Sequence, residues 1–154
     1  MPHRAVQELR RLYPTWEFRR QAAGEFDDVF RALAHPDFEV RLPAAYPDLD
    51  EVRGLEAVNA LFRGFGQVWD EWHFEPELLF DGGDRAVVYV TLVARGKGSG
   101  AETVTRGAHL WRLRGERFSR VEVFLDREEA LAEAGLTGAQ AEPFELPRDG
   151  ATAP

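Results

Sequence analysis

Hydrophobic positions recur along this chain at two different periods. Val6, Leu9, Tyr13 and Trp16 stand at helical spacing and predict a helix from about residue 4. Pro14 lies inside that pattern and ends or kinks it near Tyr13, because proline has no N–H to continue the ladder. Phe26, Val29, Phe30 and Leu33 give an i, i+3, i+4, i+7 stripe over residues 25–34, stopped by His35-Pro36. Residues 38–42 then alternate strictly and predict a half-buried strand. Residues 43–54, with two prolines and Gly54, predict a loop. The broadest stripe comes next: Leu55, Val58, Leu61, Phe62, Phe65, Val68, Trp69 and Trp72 predict one long helix.

The second half changes period. Four strands are predicted at about 72–80, 85–95, 102–113 and 117–125, separated by the Gly-rich turns after Phe80, Arg95 and Arg114. Connections this short make neighbours antiparallel. Asp126 and Glu129 stand where an N-cap and its N3 partner would open a short final helix, which Gly135 closes. Helices first and a strand meander later predict an α+β fold, not a parallel α/β sheet. Large apolars thin out after Leu136. The expected organisation is therefore one domain over 1–136 and a loosely ordered tail over 137–154.

Composition narrows the function. The 154 residues suffice for one sizeable core. A net charge of −8 argues against nucleic acid as a partner, since phosphates are bound by clustered cations. Of the 19 basic residues, Lys97 is the one lysine, and the arginines are scattered in the manner of codon bias rather than of an anion clamp. Absence of cysteine excludes thiol chemistry and disulfides. No apolar run is long enough for a membrane span, and the first residues lack a signal-peptide core, so a cytoplasmic location is expected. No phosphate loop, zinc spacing or nucleophile elbow occurs, and neither cofactor nor metal is implied.

Six segments in order resemble a known family. Gly24-Glu25-Phe26-Asp27, the His35–Val40 turn into a strand, and Arg53–Val58 look like the first half of a SnoaL-like domain of the ketosteroid isomerase type. The Asp81–Val88 and Ala108–Leu113 strands, and the Val121–Leu131 ending, are similar to its second half. The resemblance implies a cone: a strongly bent, mostly antiparallel sheet wrapped by helices around an apolar cavity. It also implies a homodimer paired through the sheets, consistent with Val and Leu on the outer face of the meander. Members include isomerases, polyketide cyclases and an epoxide hydrolase, so fold leaves the reaction open. Leu42 stands where ketosteroid isomerase carries its aspartate base, and leucine cannot abstract a proton. His109 falls at the position of a second, protonated aspartate, and Tyr13 is nearest to the oxyanion tyrosine.

Alternation then nominates side chains. Thr105, Gly107, His109, Trp111 and Leu113 share one strand face, which points His109 toward the cavity as a proton donor, acceptor or carrier. On the last strand Glu122 shares a face with Phe118 and Phe124, an acid in an aromatic wall. In the opposite orientation Val121, Val123 and Leu125 face inward, and Glu122 lies outside beside arginine. Tyr13, Trp16, Phe65, Trp69, Trp111 and Phe124 are the candidate ligand-lining residues. Two readings follow: a cavity protein for a small, apolar, oxygenated molecule, or an acid–base enzyme (cyclase, isomerase or epoxide hydrolase) using His109 and Glu122.

Overall fold

The computed structural model describes residues 4–43 and 51–144. Helix α1 (Arg4–Leu12) buries Ala5, Val6, Leu9 and Leu12. At Pro14 the chain tightens into a 3₁₀ turn, Tyr13–Thr15, which carries Tyr13 into the core. Two short helices follow, α2 (Phe18–Ala22) and α3 (Asp27–Leu33). Helix α2 has no counterpart in the hydrophobic pattern; Glu17 caps it by accepting from the Arg20 N–H. Strand β1 (Ala34–Arg41) starts four residues earlier than the alternation indicates, and Pro36 sits where its register slips. The expected loop holds a short strand, β2 (Glu51–Arg53).

Helix α4 (Leu55–Val68) ends before the apolar stripe does. Trp69 is already extended and opens β3 (Trp69–Asp81), so Trp69 and Trp72 belong to a strand and not to the helix. The meander continues as β4 (Arg85–Gly96), β5 (Glu102–Arg114) and β6 (Arg117–Phe124). Helix α5 (Arg127–Ala134) is capped by Asp126, which accepts from the Glu128 and Glu129 N–H groups, and closed by left-handed Gly135.

The expected tail is not loose throughout. Residues 137–144 form a 3₁₀ turn and β7 (Ala141–Pro143), which pairs with β3, while Phe144 packs edge-on to Tyr13. Three residues pairing with an existing strand need no hydrophobic run of their own, which is why composition missed them. Residues 145–154, the rest of that expected tail, and His3 lie outside the described residues.

The sheet has the order β2-β1-β6-β5-β4-β3-β7, all neighbours antiparallel except β1 and β6. It is open and bent. The helices before β3 fill its concave face, with Leu9, Tyr13, Phe30, Val88 and Trp111 in one core. Helix α5 covers Val87 and Leu110 on the convex face with Ala130 and Ala134, so part of the outer apolar surface is used within one chain. Arg127 fastens the bend: it meets Glu77 with two nitrogens, at 3.2 and 2.6 Å, and donates to the carbonyls of Gly107 (3.0 Å) and Val90 (2.8 Å). Glu77 is the extra residue of a β-bulge in β3. Among the described residues no helix is long and apolar enough to cross a membrane.

Docking of β7 and Phe144 makes the C-terminal segment part of the stability unit. Truncation after Leu136 is expected to lower the melting temperature by about 5–10 °C. An unchanged melting temperature would show that the segment contributes nothing.

Candidate functional site

The concave sheet face, α4 and the 3₁₀ turn enclose a cavity of about 370 Å³, within the usual range for small-molecule sites. Trp16, Phe62, Phe65, Trp69, Trp72, Phe74 and Trp111 form an aromatic wall, completed by Leu42, Val90, Leu92, Val121 and Val123. No Asp, Glu, Lys or Arg lines it among the described residues. Thr103, Thr105 and Leu125 line the cavity and are also exposed, which places its mouth there. A second hollow, near α3 and β1, is lined by Asp27, Arg31 and His35 among others. Its Asp27 is already engaged, by Asn59 at 2.8 Å and Arg31 at 3.8 Å.

His109 lines the cavity from β5 and is 3% exposed. Its Nδ1 lies 2.6 Å from the Tyr13 hydroxyl, which accepts from Trp111 Nε1 at 2.8 Å. These two contacts determine the imidazole tautomer. An indole N–H only donates, so the hydroxyl oxygen is an acceptor toward Trp111, and its single proton remains to be given. If His109 donated from Nδ1, that buried phenolic proton would have no acceptor. Tyr13 therefore donates to Nδ1, the imidazole proton resides on Nε2, and this Nε2–H has no acceptor among the described residues. Edge-on contact with Phe74, centroids 4.6 Å apart, fixes the ring further. Burial pushes the imidazole pKa down to about 3 and raises that of Tyr13 well above the ordinary phenol range, the Trp111 hydrogen bond opposing the latter.

Glu122 is elsewhere. In the β5–β6 ladder His109 stands opposite Val123 and Leu110 opposite Glu122, so the two candidates occupy opposite sheet faces. Glu122 binds Arg112 at 2.9 Å, with Arg120 at 3.9 Å. The expected acid–base pair is not formed. A bulge decides between the two orientations: Leu113 pairs with Phe118 but Arg112 with Arg120, leaving Ser119 over. Phe118 can thus join Trp111 inside, centroids 4.9 Å apart, while Glu122 faces out. The inward set is the other one considered, Val121, Val123 and Leu125.

Of the candidate lining residues, Trp16, Phe65, Trp69, Trp111 and Phe124 touch the cavity, and Tyr13 stands behind His109. Phe124 also packs against the convex-face core. The sequence reading missed a buried polar chain behind the wall. Trp16 Nε1 donates to Gln21 (2.7 Å), Gln21 to Asn59 (2.6 Å), and Asn59 to Asp27 (2.8 Å). Its one signal was Asn59 inside the α4 apolar stripe, four residues after Leu55 and three before Phe62. His35 meets the Arg114 carbonyl at 2.7 Å and His73 meets Glu75 at 3.2 Å, both outside the cavity. Among the described residues no cluster of three or more His, Asp or Glu could hold a metal ion.

Comparison with known proteins places this geometry in context. The family model described as a SnoaL-like domain matches residues 9–121. An NTF2-like protein from Burkholderia xenovorans LB400 is 19% identical with a TM-score of 0.62, covering 87% of this chain and 98% of that one. TerC, crystallised with polyporic acid, is 21% identical with a TM-score of 0.56 over 75% of this chain and 92% of its own. A protein of ketosteroid isomerase-like fold from Catenulispora acidiphila DSM 44928, in complex with trimethylamine, is 17% identical with a TM-score of 0.56, covering 77% and 88%. At these identities the likeness concerns fold. No curated protein matches the chain significantly.

The buried neutral imidazole has a consequence for stability. Its pKa is about 3 folded and about 6.5 unfolded, so between those values the unfolded chain binds the extra proton. His109 therefore favours folding fully above pH 6.5, and that contribution falls progressively as pH drops toward 3, by an amount on the order of 5 kcal/mol. Urea unfolding from pH 7 to pH 4 should show about 3 kcal/mol of this loss in wild type and in Glu122→Gln. The slope should be markedly shallower in His109→Phe. Equal slopes in wild type and His109→Phe would show that the histidine is not buried neutral.

Proposed function

The chain belongs to the SnoaL-like domain family, and on that premise we propose that its cavity binds a small apolar molecule bearing an acceptor oxygen, a ketone or related carbonyl. The observation that carries this reading is one oriented N–H donor, His109 Nε2, in an aromatic cavity that no ionic side chain lines among the described residues. A ligand oxygen at that point gains a hydrogen bond in an apolar setting, worth about 1 kcal/mol, while the ligand body gains from covering apolar wall. A site built to hydrogen-bond an oxygen also discriminates against an analogue that lacks it. Similar folds crystallised with polyporic acid and with trimethylamine support a small organic occupant.

Acid–base catalysis is the weaker reading. Leu42 lines the cavity where the isomerase base would stand, and Glu122 is held outside by Arg112. The His109 Nδ1 lone pair is taken by Tyr13, and burial makes the imidazole a feeble base. What remains available to a reaction is polarisation of the bound carbonyl by Nε2–H, an electrophilic assistance that needs no change in the protonation state of His109.

Equilibrium dialysis with 2-acetylnaphthalene and 2-ethylnaphthalene tests the proposal. The ketone should bind about tenfold more tightly than the hydrocarbon of matching shape. In His109→Phe, with folding verified by circular dichroism, the hydrocarbon should still bind and the preference should vanish. Equal affinities in wild type would refute the assignment of His109 as the ligand donor.

A further inference from the structure

The cavity wall is built almost wholly of side chains that cannot accept a hydrogen bond. Its nitrogen-bearing members are His109 and the indoles of Trp16, Trp69, Trp72 and Trp111. An indole N–H only donates, and those of Trp16 and Trp111 are already given to Gln21 and Tyr13. Among the described residues no carboxylate or amide side chain lines the cavity, and the side-chain oxygens in its lining are the hydroxyls of Thr103 and Thr105 at the mouth. Thr105 stands four residues from His109 along β5, roughly 13 Å in an extended strand. Backbone carbonyls beside the imidazole are no substitute. They lie in the plane of the sheet, within the β4–β5 and β5–β6 ladders, and that of Gly107 also receives Arg127.

His109 is the one member of this wall whose role is not set by covalent structure. A neutral imidazole presents either an N–H or a lone pair at Nε2, according to where its proton sits. With the proton on Nδ1, the cavity would hold an acceptor and would suit an alcohol or an amine. Tyr13 forbids this: it accepts from Trp111 and gives its own proton to Nδ1, which leaves Nε2 a donor. Tyr13 is itself fully buried and absent from the cavity lining, so it reaches a ligand through the imidazole alone.

A ketone and the secondary alcohol of the same skeleton then meet the site differently. Either oxygen can accept from Nε2–H. The alcohol brings a further proton, and near His109 no described side chain takes it, so this O–H gives up its bond to water without replacement. We infer that the site reads the oxidation level of its ligand, taking the ketone and rejecting the corresponding alcohol, and that Tyr13 is the positioning residue that sets this preference without touching the ligand. The preference rests on His109 being the ligand donor, and it narrows the ligand class to molecules whose buried oxygen carries no proton.

Equilibrium dialysis with 2-acetylnaphthalene, 1-(2-naphthyl)ethanol and 2-ethylnaphthalene is the test, in wild type and in Tyr13→Phe. Wild type should bind the ketone about tenfold more tightly than the alcohol. In Tyr13→Phe no proton is offered to Nδ1, and the space left by one hydroxyl is too small for a water to take its place. Either tautomer can then form, and the preference for ketone over alcohol should fall to about twofold or less. Long-range ¹H–¹⁵N correlation of the variant's imidazole should show Nδ1–H alongside Nε2–H, a change that altered packing alone does not produce, while 2-ethylnaphthalene should bind as in wild type. The wild-type comparison decides without any variant: an alcohol bound as tightly as the ketone, with the hydrocarbon weaker, overturns the selectivity and leaves His109 as the donor. Ketone and hydrocarbon bound equally would overturn both. A Tyr13→Phe protein that keeps the tenfold preference would overturn the role of Tyr13.

Discussion

One hydroxyl proton organises the interior. Tyr13 receives the Trp111 N–H and has a single proton to give, which His109 takes at Nδ1. The arrangement depends on Pro14, whose 3₁₀ turn carries Tyr13 from the end of α1 into the core, and on two alternate residues of β5 that share one face. Each of the three polar groups would be costly to bury alone, and together they satisfy one another except at His109 Nε2. The polarity left over is thereby concentrated at one atom on the cavity wall. A hydrogen-bonded structural core and a ligand-directed donor are two ends of the same chain of contacts.

The cavity itself exists because the sheet bends around it. Bulges leave Glu77 over in β3 and Ser119 over in β6, and Arg127 ties Glu77 to the Gly107 and Val90 carbonyls across three strands. Gly107 stands where β5 passes closest to the end of β6: a Cβ there would lie 2.6 Å from the Phe124 carbonyl oxygen. That approach requires glycine, and it sits two residues from His109. The convex face holds the charges, with Glu39 among Arg41, Arg53 and Arg120 and Glu122 beside Arg112. The concave face is left almost purely apolar. Segregating charge to one side of a bent sheet is what gives a lone N–H its specificity on the other.

Much of this was legible in sequence because local rules agreed with the fold. The alternation of β4 and β5, the Gly-rich turns, the Asp126 cap and the inward face of His109 all follow from residue order, as does the SnoaL-like likeness. Where the reading failed, a non-local term had decided. Trp69 and Trp72 continue the helical spacing of α4, but pairing with Gly96 and Ala94 of β4 draws them into β3. Residue order left Glu122 open between two orientations, because one surplus residue, Ser119, reverses the parity of β6 and nothing in residue order marks a bulge. Gln21 is fully buried because Trp16, five residues away, and Asn59, 38 residues away, satisfy it, and the one trace of this in residue order is Asn59 inside the α4 stripe.

The central claim is that neutral His109 carries its proton on Nε2, with Nδ1 held by Tyr13. Long-range ¹H–¹⁵N correlation of the His109 ring at neutral pH reads this directly. The account predicts a protonated, pyrrole-type Nε2 and an unprotonated, pyridine-type Nδ1. A protonated Nδ1 in a neutral ring, or an imidazolium with both nitrogens protonated, would contradict it.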